Sequence, residues 1–241
     1  MRVRLLGLVL GGLLAAQADA QGIRIHMHGD GGYAADGVLF KPPGQPPFPA
    51  IVVIPDERGV TAQMIEEATG LAAAGYVAVA VDLNRGLAAD VAKRSDEQAE
   101  HDVNSALAFL SSQTTVRQDR IGAEGWGSGG GYALVLAADK RVRAVAIEGV
   151  TLPRDASVLG KVHAAVLASF GGQESGVSEK SVKAFDELLR AQGNTVDSKI
   201  YPEAGRGFTE RDNATQFRPK DAEDVARRTR QFFTSQLKPS P

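Results

Sequence analysis

Ile121-Gly-Ala-Glu-Gly125-Trp126-Gly127-Ser128-Gly129-Gly130-Gly131-Tyr132-Ala133-Leu134 lies at the centre of the chain. An apolar approach predicts a strand over Arg120–Glu124, and the glycines that follow predict a sharp turn. Beyond them the pattern becomes that of a helix over Gly130–Ala138. The same alternation continues outward in both directions. Upstream, Ile23–His28 has period two, Tyr33–Phe40 returns after the turn Gly29-Asp-Gly-Gly32, and Lys41–Pro49 is a proline-rich loop. Ala50–Ile54 and Tyr76–Val81 are continuous apolar runs, as strands buried on both faces would be. Between and after them, Thr61–Ala74 and Asp96–Ser112 have helical spacing. Downstream come strands at Arg143–Ile147, Ala165–Phe170 and Val196–Tyr201, and helices at Glu179–Gln192 and Asp221–Leu237. Strand–helix alternation throughout predicts one α/β domain with a mostly parallel sheet and helices on both faces. Ligands of such sheets bind beyond the carboxyl ends of the strands.

The 241 residues are ordinary in composition, with 43% hydrophobic and 23% charged residues and a formal net charge of −2. No basic footprint argues for nucleic acid. There is no cysteine, which excludes a disulfide framework, a thiolate metal site and a cysteine nucleophile. Arg2 and Arg4, the apolar run Leu5–Ala16 and the small-x-small sequence Ala18-Asp19-Ala20 predict a signal peptide over residues 1–20. The mature domain then spans residues 21–241, exported to a periplasm or medium, with no membrane segment once the signal is removed.

The central segment has the strand–turn–helix context of a nucleophile elbow. It resembles the dienelactone hydrolase family of α/β-hydrolases, whose elbow reads Gly-x-Cys-x-Gly-Gly before a helix. Other segments follow in family order. Pro49-Ala-Ile-Val-Val-Ile-Pro-Asp-Glu-Arg-Gly59 resembles the oxyanion-side strand and loop, and Gly75–Leu83 the next strand. Phe170-Gly-Gly-Gln-Glu174 resembles the acid loop, and Tyr201-Pro-Glu-Ala-Gly-Arg-Gly-Phe208 the histidine loop. The resemblance covers residues 23–237 and implies an α/β-hydrolase fold and ester or lactone hydrolysis.

The family's catalytic residues do not carry over with it. The nucleophile position holds Gly127, the acid position Glu174 and the histidine position Arg206. Arginine stays protonated and cannot serve as a general base near neutral pH. The resemblance assigns oxyanion-type amides to the backbone N–H groups of Glu57 and Ser128, and Asp56 to the acidic position before them. Chain order supports the missing histidine independently: the triad histidine follows nucleophile and acid, yet no histidine occurs after His163. His26, His28, His101 and His163 are expected to be structural or surface residues.

Asp56, Glu57, Arg58, Arg85, Glu174 and Arg206 fall in loops after strand ends, and Asp56, Arg58, Arg85 and Trp126 are candidate pocket residues. The function implied is a degenerate hydrolase with a pocket for a small molecule or partner. An active hydrolase of ester or lactone bonds using Ser128 is the alternative. A third possibility is dinucleotide binding, because Gly125-Trp-Gly127-Ser-Gly-Gly130 matches G-x-G-x-x-G and Glu148 sits where a ribose ligand would. Trp126 is bulky for that turn. No metal is expected, since no two histidines share a helix face, and no cofactor is implied. Asp139-Lys140-Arg141 and Arg227-Arg228-Thr-Arg230 read as solvated faces. Two geometric expectations follow. Glu174 and Arg206 should lie within about 4 Å of each other, as an acid–base pair replacing the family's. Gly127 should have φ > 0, as an elbow apex does.

Overall fold

The computed structural model describes residues 22–29, 34–87, 95–150, 152 and 156–238. The expected signal peptide, the turn residues 30–32 and Tyr33 lie outside the described residues. Eight strands form one sheet: β1 (Ile23–His28), β2 (Ala34–Phe40), β3 (Phe48–Ile54), β4 (Val77–Val81), β5 (Val116–Trp126), β6 (Val142–Glu148), β7 (Ala165–Gly171) and β8 (Val196–Tyr201). Their order is β1-β2-β4-β3-β5-β6-β7-β8. From β4 to β8 all neighbours are parallel, while β1 and β2 are the antiparallel edge. The helices are α1 (Ala62–Ala73), α2 (Asp96–Ser112), α3 (Ser128–Leu136), a single turn α4 (Ala156–Leu159), α5 (Glu179–Ala191) and α6 (Pro219–Leu237). This is the α/β-hydrolase architecture, a mostly parallel sheet with helices on both faces.

Period-two alternation divides the sheet's two faces. Val52, Ile54, Val79, Val145 and Phe170 pack on the side of α2, α3 and α5. Ile51, Val53, Ala78, Ala80, Ala144 and Ala146 pack on the side of α1 and α6, with Phe233 and Leu237. The second face carries mostly small residues in its central strands, so α1 and α6 approach it without filling all the space between them.

Local chemistry fixes the ends. Thr61 caps α1 by accepting from the Met64 N–H, Ser95 caps α2, and Ser178 with Ser181 forms a reciprocal capping box on α5. Pro219 opens α6, where its missing N–H costs nothing. Several boundaries differ from the expected ones, most by one or two residues, as at β3 and α6, and two of the differences have a clear cause. β5 begins at Val116, four residues early, because Val116 pairs with Phe48 at the base of β3. α3 begins at Ser128 rather than Gly130, with three glycines inside its first turns. Glycine disfavours a helix, but a Cβ on Gly129 would lie 2.3 Å from the Ile54 carbonyl oxygen. The absence of that Cβ lets α3 descend onto the end of β3.

Candidate functional site

Gly127 is the joint between β5 and α3. Its backbone has φ 50° and ψ −121°, and its N–H donates to the Glu148 carbonyl at 2.9 Å. The positive φ agrees with the expected apex, and strand and helix meet here with no intervening loop. A Cβ at this position would sit 3.1 Å from the Asp56 Cβ, 3.7 Å from Glu57 Oε2 and 3.8 Å from Arg206 Nη2. A side chain on residue 127 would therefore project between the loop after β3 and the loop after β8. Glycine leaves that point without a nucleophilic atom.

The surrounding groups come from four strand ends. The Asp56 carboxylate is buried and accepts from the Arg58 N–H at 2.9 Å and from Arg58 Nε at 2.9 and 3.2 Å. The rest of the Arg58 guanidinium reaches Glu210 at 3.0 Å and Asp212 at 2.9 Å. Arg58 thus ties the loop after β3 to the loop before α6. Glu57 spans the apex: one carboxylate oxygen accepts from Arg206 Nη2 at 3.4 Å, the other from the Ser128 hydroxyl at 3.5 Å. A cavity of about 220 Å³ lies here, lined among others by Asp56, Glu57, Trp126, Gly127, Arg206 and Phe208.

The expected Glu174–Arg206 ion pair does not form; Arg206 pairs with Glu57 instead. Glu174 folds back onto the end of its own strand, where Oε1 accepts from the Gly171 N–H at 3.0 Å. Burial raises its carboxyl above the ordinary range, against the Gly171 bond and the charge of Arg206, which oppose the rise. The physical reason is reach. The Gly171 amide is local to Glu174, whereas Glu57 extends over the apex toward Arg206.

Arg85 lies apart from the elbow cavity. Its guanidinium bonds Asp102 of α2 at 3.0 Å, and its backbone has φ 52°. Trp126 does line the elbow cavity, on the side of α1 and α6. Glu148 ends β6, buried, with the Trp126 indole and the Thr209 hydroxyl facing its carboxylate as hydrogen-bond donors. A carboxylate committed in this way is not placed to take a ribose, and the dinucleotide possibility loses its support. The histidines are remote. His26 pairs with Asp36 at the antiparallel edge, His101 is on α2, and the His163 N–H donates to Ala137. Among the described residues, no three of His, Asp and Glu are grouped so as to hold a metal ion. The Asp139–Arg141 pair is exposed, as expected, but Arg228 reaches Ser169 and Asp197 across the sheet edge.

Two residues absent from the expected set stand out. Glu124 is 1% exposed inside β5, and its Oε2 has no hydrogen-bond partner. Glu67 of α1 faces it across a second cavity. The available signal was a carboxylate in the middle of a strand buried on both faces, where an unpaired charge is costly.

The sequence profile described as the Dienelactone hydrolase family matches residues 35–237. A carboxymethylenebutenolidase from Pseudomonas putida is 30% identical over 190 residues, covering 71% of this chain and 80% of that protein. Among solved structures, a dienelactone hydrolase-like promiscuous phosphotriesterase from metagenomic libraries superposes with a TM-score of 0.77 at 21% identity, covering 90% of this chain and 98% of that one. An acylaminoacyl peptidase from Pyrococcus horikoshii gives 0.73 at 17% identity, covering 91% of this chain and 42% of that one. At those identities the two structures speak for the fold alone.

Proposed function

The chain belongs to the dienelactone hydrolase family, and from that premise we propose that it is a member without triad hydrolysis, whose elbow pocket binds a small molecule. The observation that carries this is Gly127, held at φ 50° at the apex with no reactive atom. Arg206 adds to it, because a guanidinium neither abstracts nor relays a proton near neutral pH. The Glu57–Arg206 pair bridges the apex and offers a ligand both a carboxylate and a cation. The amides of Glu57 and Ser128 remain as donors that any side chain can accompany. We further propose export, on the strength of Arg2, Arg4, the run Leu5–Ala16 and Ala18-Asp19-Ala20.

One observation favours a second reading, an active ester or lactone hydrolase. The Ser128 hydroxyl donates to the Glu57 carboxylate at 3.5 Å, and a carboxylate is a weak general base. A fluorophosphonate probe and a panel of simple esters and dienelactones on the purified protein separate the two. The proposal expects neither labelling nor turnover. Labelling at Ser128, with turnover abolished by Ser128→Ala, would establish the second reading. Turnover surviving Ser128→Ala would put the chemistry elsewhere in the molecule.

A further inference from the structure

A second cavity is larger than that of the elbow. It lies between α1 and α6 over the small-residue face of the sheet, with a volume of about 580 Å³. That is within the size range of small-molecule sites. Its apolar wall is formed by Met64, Leu71, Tyr76, Trp126, Phe217 and Phe233. Six glutamates line the cavity: Glu67 of α1, Glu124 of β5 and Glu148 of β6, and also Glu66, Glu210 and Glu223. Glu148 has the Trp126 and Thr209 donors. Glu124 is different. It is almost wholly buried, it lines the cavity, and its Oε2 meets no donor. A buried acceptor without a donor costs on the order of 1–3 kcal/mol, more if charged.

The protein's own cations answer it only in part. Arg58 is bound to Asp56, Glu210 and Asp212, and Arg211 is bound to Glu66. Arg230 lines the cavity from the exposed surface of α6, and its charge favours the ionised forms of Glu67 and Glu124 without supplying a hydrogen bond to Glu124 Oε2. An anion finds no counter-charge in this floor, and a neutral apolar molecule leaves Glu124 unsatisfied. Among the described residues no three His, Asp or Glu are grouped so as to hold a metal ion. An ammonium group has three donors for the carboxylates, and the Trp126 ring in the wall suits a cation, while Tyr76, with Lys238 Nζ already 4.9 Å from its ring centroid, adds apolar surface.

We propose that the cavity between α1 and α6 binds a small organic cation, a primary ammonium on an apolar body, with Glu124 as its buried counter-ion. The site adjoins the elbow pocket, and Arg58, Trp126, Glu148, Thr209 and Glu210 line both, but Glu67 and Glu124 line only this cavity and Glu57, Gly127 and Arg206 only the elbow. It holds whether or not the elbow performs chemistry. Burial, with the charge of Glu67 beside it, pushes Glu148 up to about 8 and Glu124 well above the carboxylate range. A bound cation would reverse this and allow the floor to ionise.

Trp126 is the chain's single tryptophan, so its emission reports on the cavity without a label. The test titrates the protein with benzylammonium chloride, benzyl alcohol and sodium benzoate, following Trp126 fluorescence. A molecule of this size binds in the millimolar range. Benzylammonium is expected to saturate, and to bind about tenfold or more tighter than benzyl alcohol, with benzoate weaker still. Glu124→Gln should abolish that preference while leaving benzyl alcohol unchanged. Glu67→Gln, at a half-buried helix position that tolerates the change, should weaken benzylammonium about threefold or more, which keeps the proposal testable if Glu124→Gln misfolds. Arg206→Ala should leave binding unchanged, because that residue lines only the elbow pocket. Equal affinity for the charged and neutral compounds, or preference for benzoate, would overturn the proposal. So would undiminished binding in both Gln variants, or a loss confined to Arg206→Ala.

Discussion

Replacing Gly127 by serine asks the fold to hold a nucleophile where its family holds one. The backbone at φ 50° and ψ −121° lies outside the regions open to L-residues, a strain of about 1–3 kcal/mol. The new Cβ would lie 3.1 Å from the Asp56 Cβ, closer than side-chain carbons normally pack. Asp56 cannot withdraw easily, since it is buried and gripped by Arg58 through Nε and its own N–H. Against this, removing a glycine makes the unfolded chain less free, which returns about 0.4–1 kcal/mol. The balance is a net loss of about 1–2 kcal/mol. For a chain of this size each kcal/mol moves the melting temperature by about 2–4 °C, so Gly127→Ser should melt about 2–8 °C below the parent. The new hydroxyl would face Glu57 and Arg206, whose atoms lie 3.7 and 3.8 Å from the added Cβ. Neither is the neutral imidazole that serine activation uses. Ester turnover should therefore stay at the parent level. The assay is a thermal melt beside an ester panel. A variant melting with the parent would refute the strain argument, and one that turns over esters while Arg206 is present would refute the role given to Arg206.

Three further outcomes follow from the same geometry. Arg58→Ala should cost about 2–4 kcal/mol by urea unfolding, because it leaves the buried Asp56 unpaired; Arg206→Ala, which breaks only the exposed pair with Glu57, should cost about 0.5 kcal/mol or less. The folded carboxyl of Glu148 titrates at about 8 against an ordinary 4.5, so the folded state binds more protons than the unfolded one between those values. Stability from this group is full below the lower value and lost as pH rises toward 8; Glu148→Gln should flatten that decline in melts across the window, and an unchanged slope would contradict it. Gly127→Cys combined with Arg206→His should give turnover of an activated ester at least about tenfold above either single variant, measured by initial rates, because the apex direction is already set by the backbone.

Regular elements were legible wherever one periodicity held throughout. Asp96–Ser112, Ile23–His28 and Val196–Tyr201 have the bounds that their spacing predicts. The start of β5 was not legible, because Arg117-Gln-Asp119 is polar and only pairing with the base of β3 makes it a strand. The start of α3 was hidden for the opposite reason: three glycines read as a turn, and only the nearness of the Ile54 carbonyl shows why a helix carries them.

The candidate site divides along the same line. Gly127 could be placed from chain order because a short covalent path, strand to turn to helix, fixes where residue 127 must be. The partner of Arg206 could not. A guanidinium on a flexible stem chooses among carboxylates from several loops, and the choice turns on loop backbone positions that no spacing in the sequence encodes. Glu174 had a nearer donor in Gly171, and Glu57 remained for Arg206. Glu124 sits between these cases. Its presence in a two-faced buried strand announces an unpaid electrostatic cost, but only the packing of α1 and α6 over small residues shows that the carboxylate faces a cavity rather than a partner. A charge out of place in a buried strand is therefore the sequence signal to follow first, because it marks where the fold has left something for a ligand to satisfy.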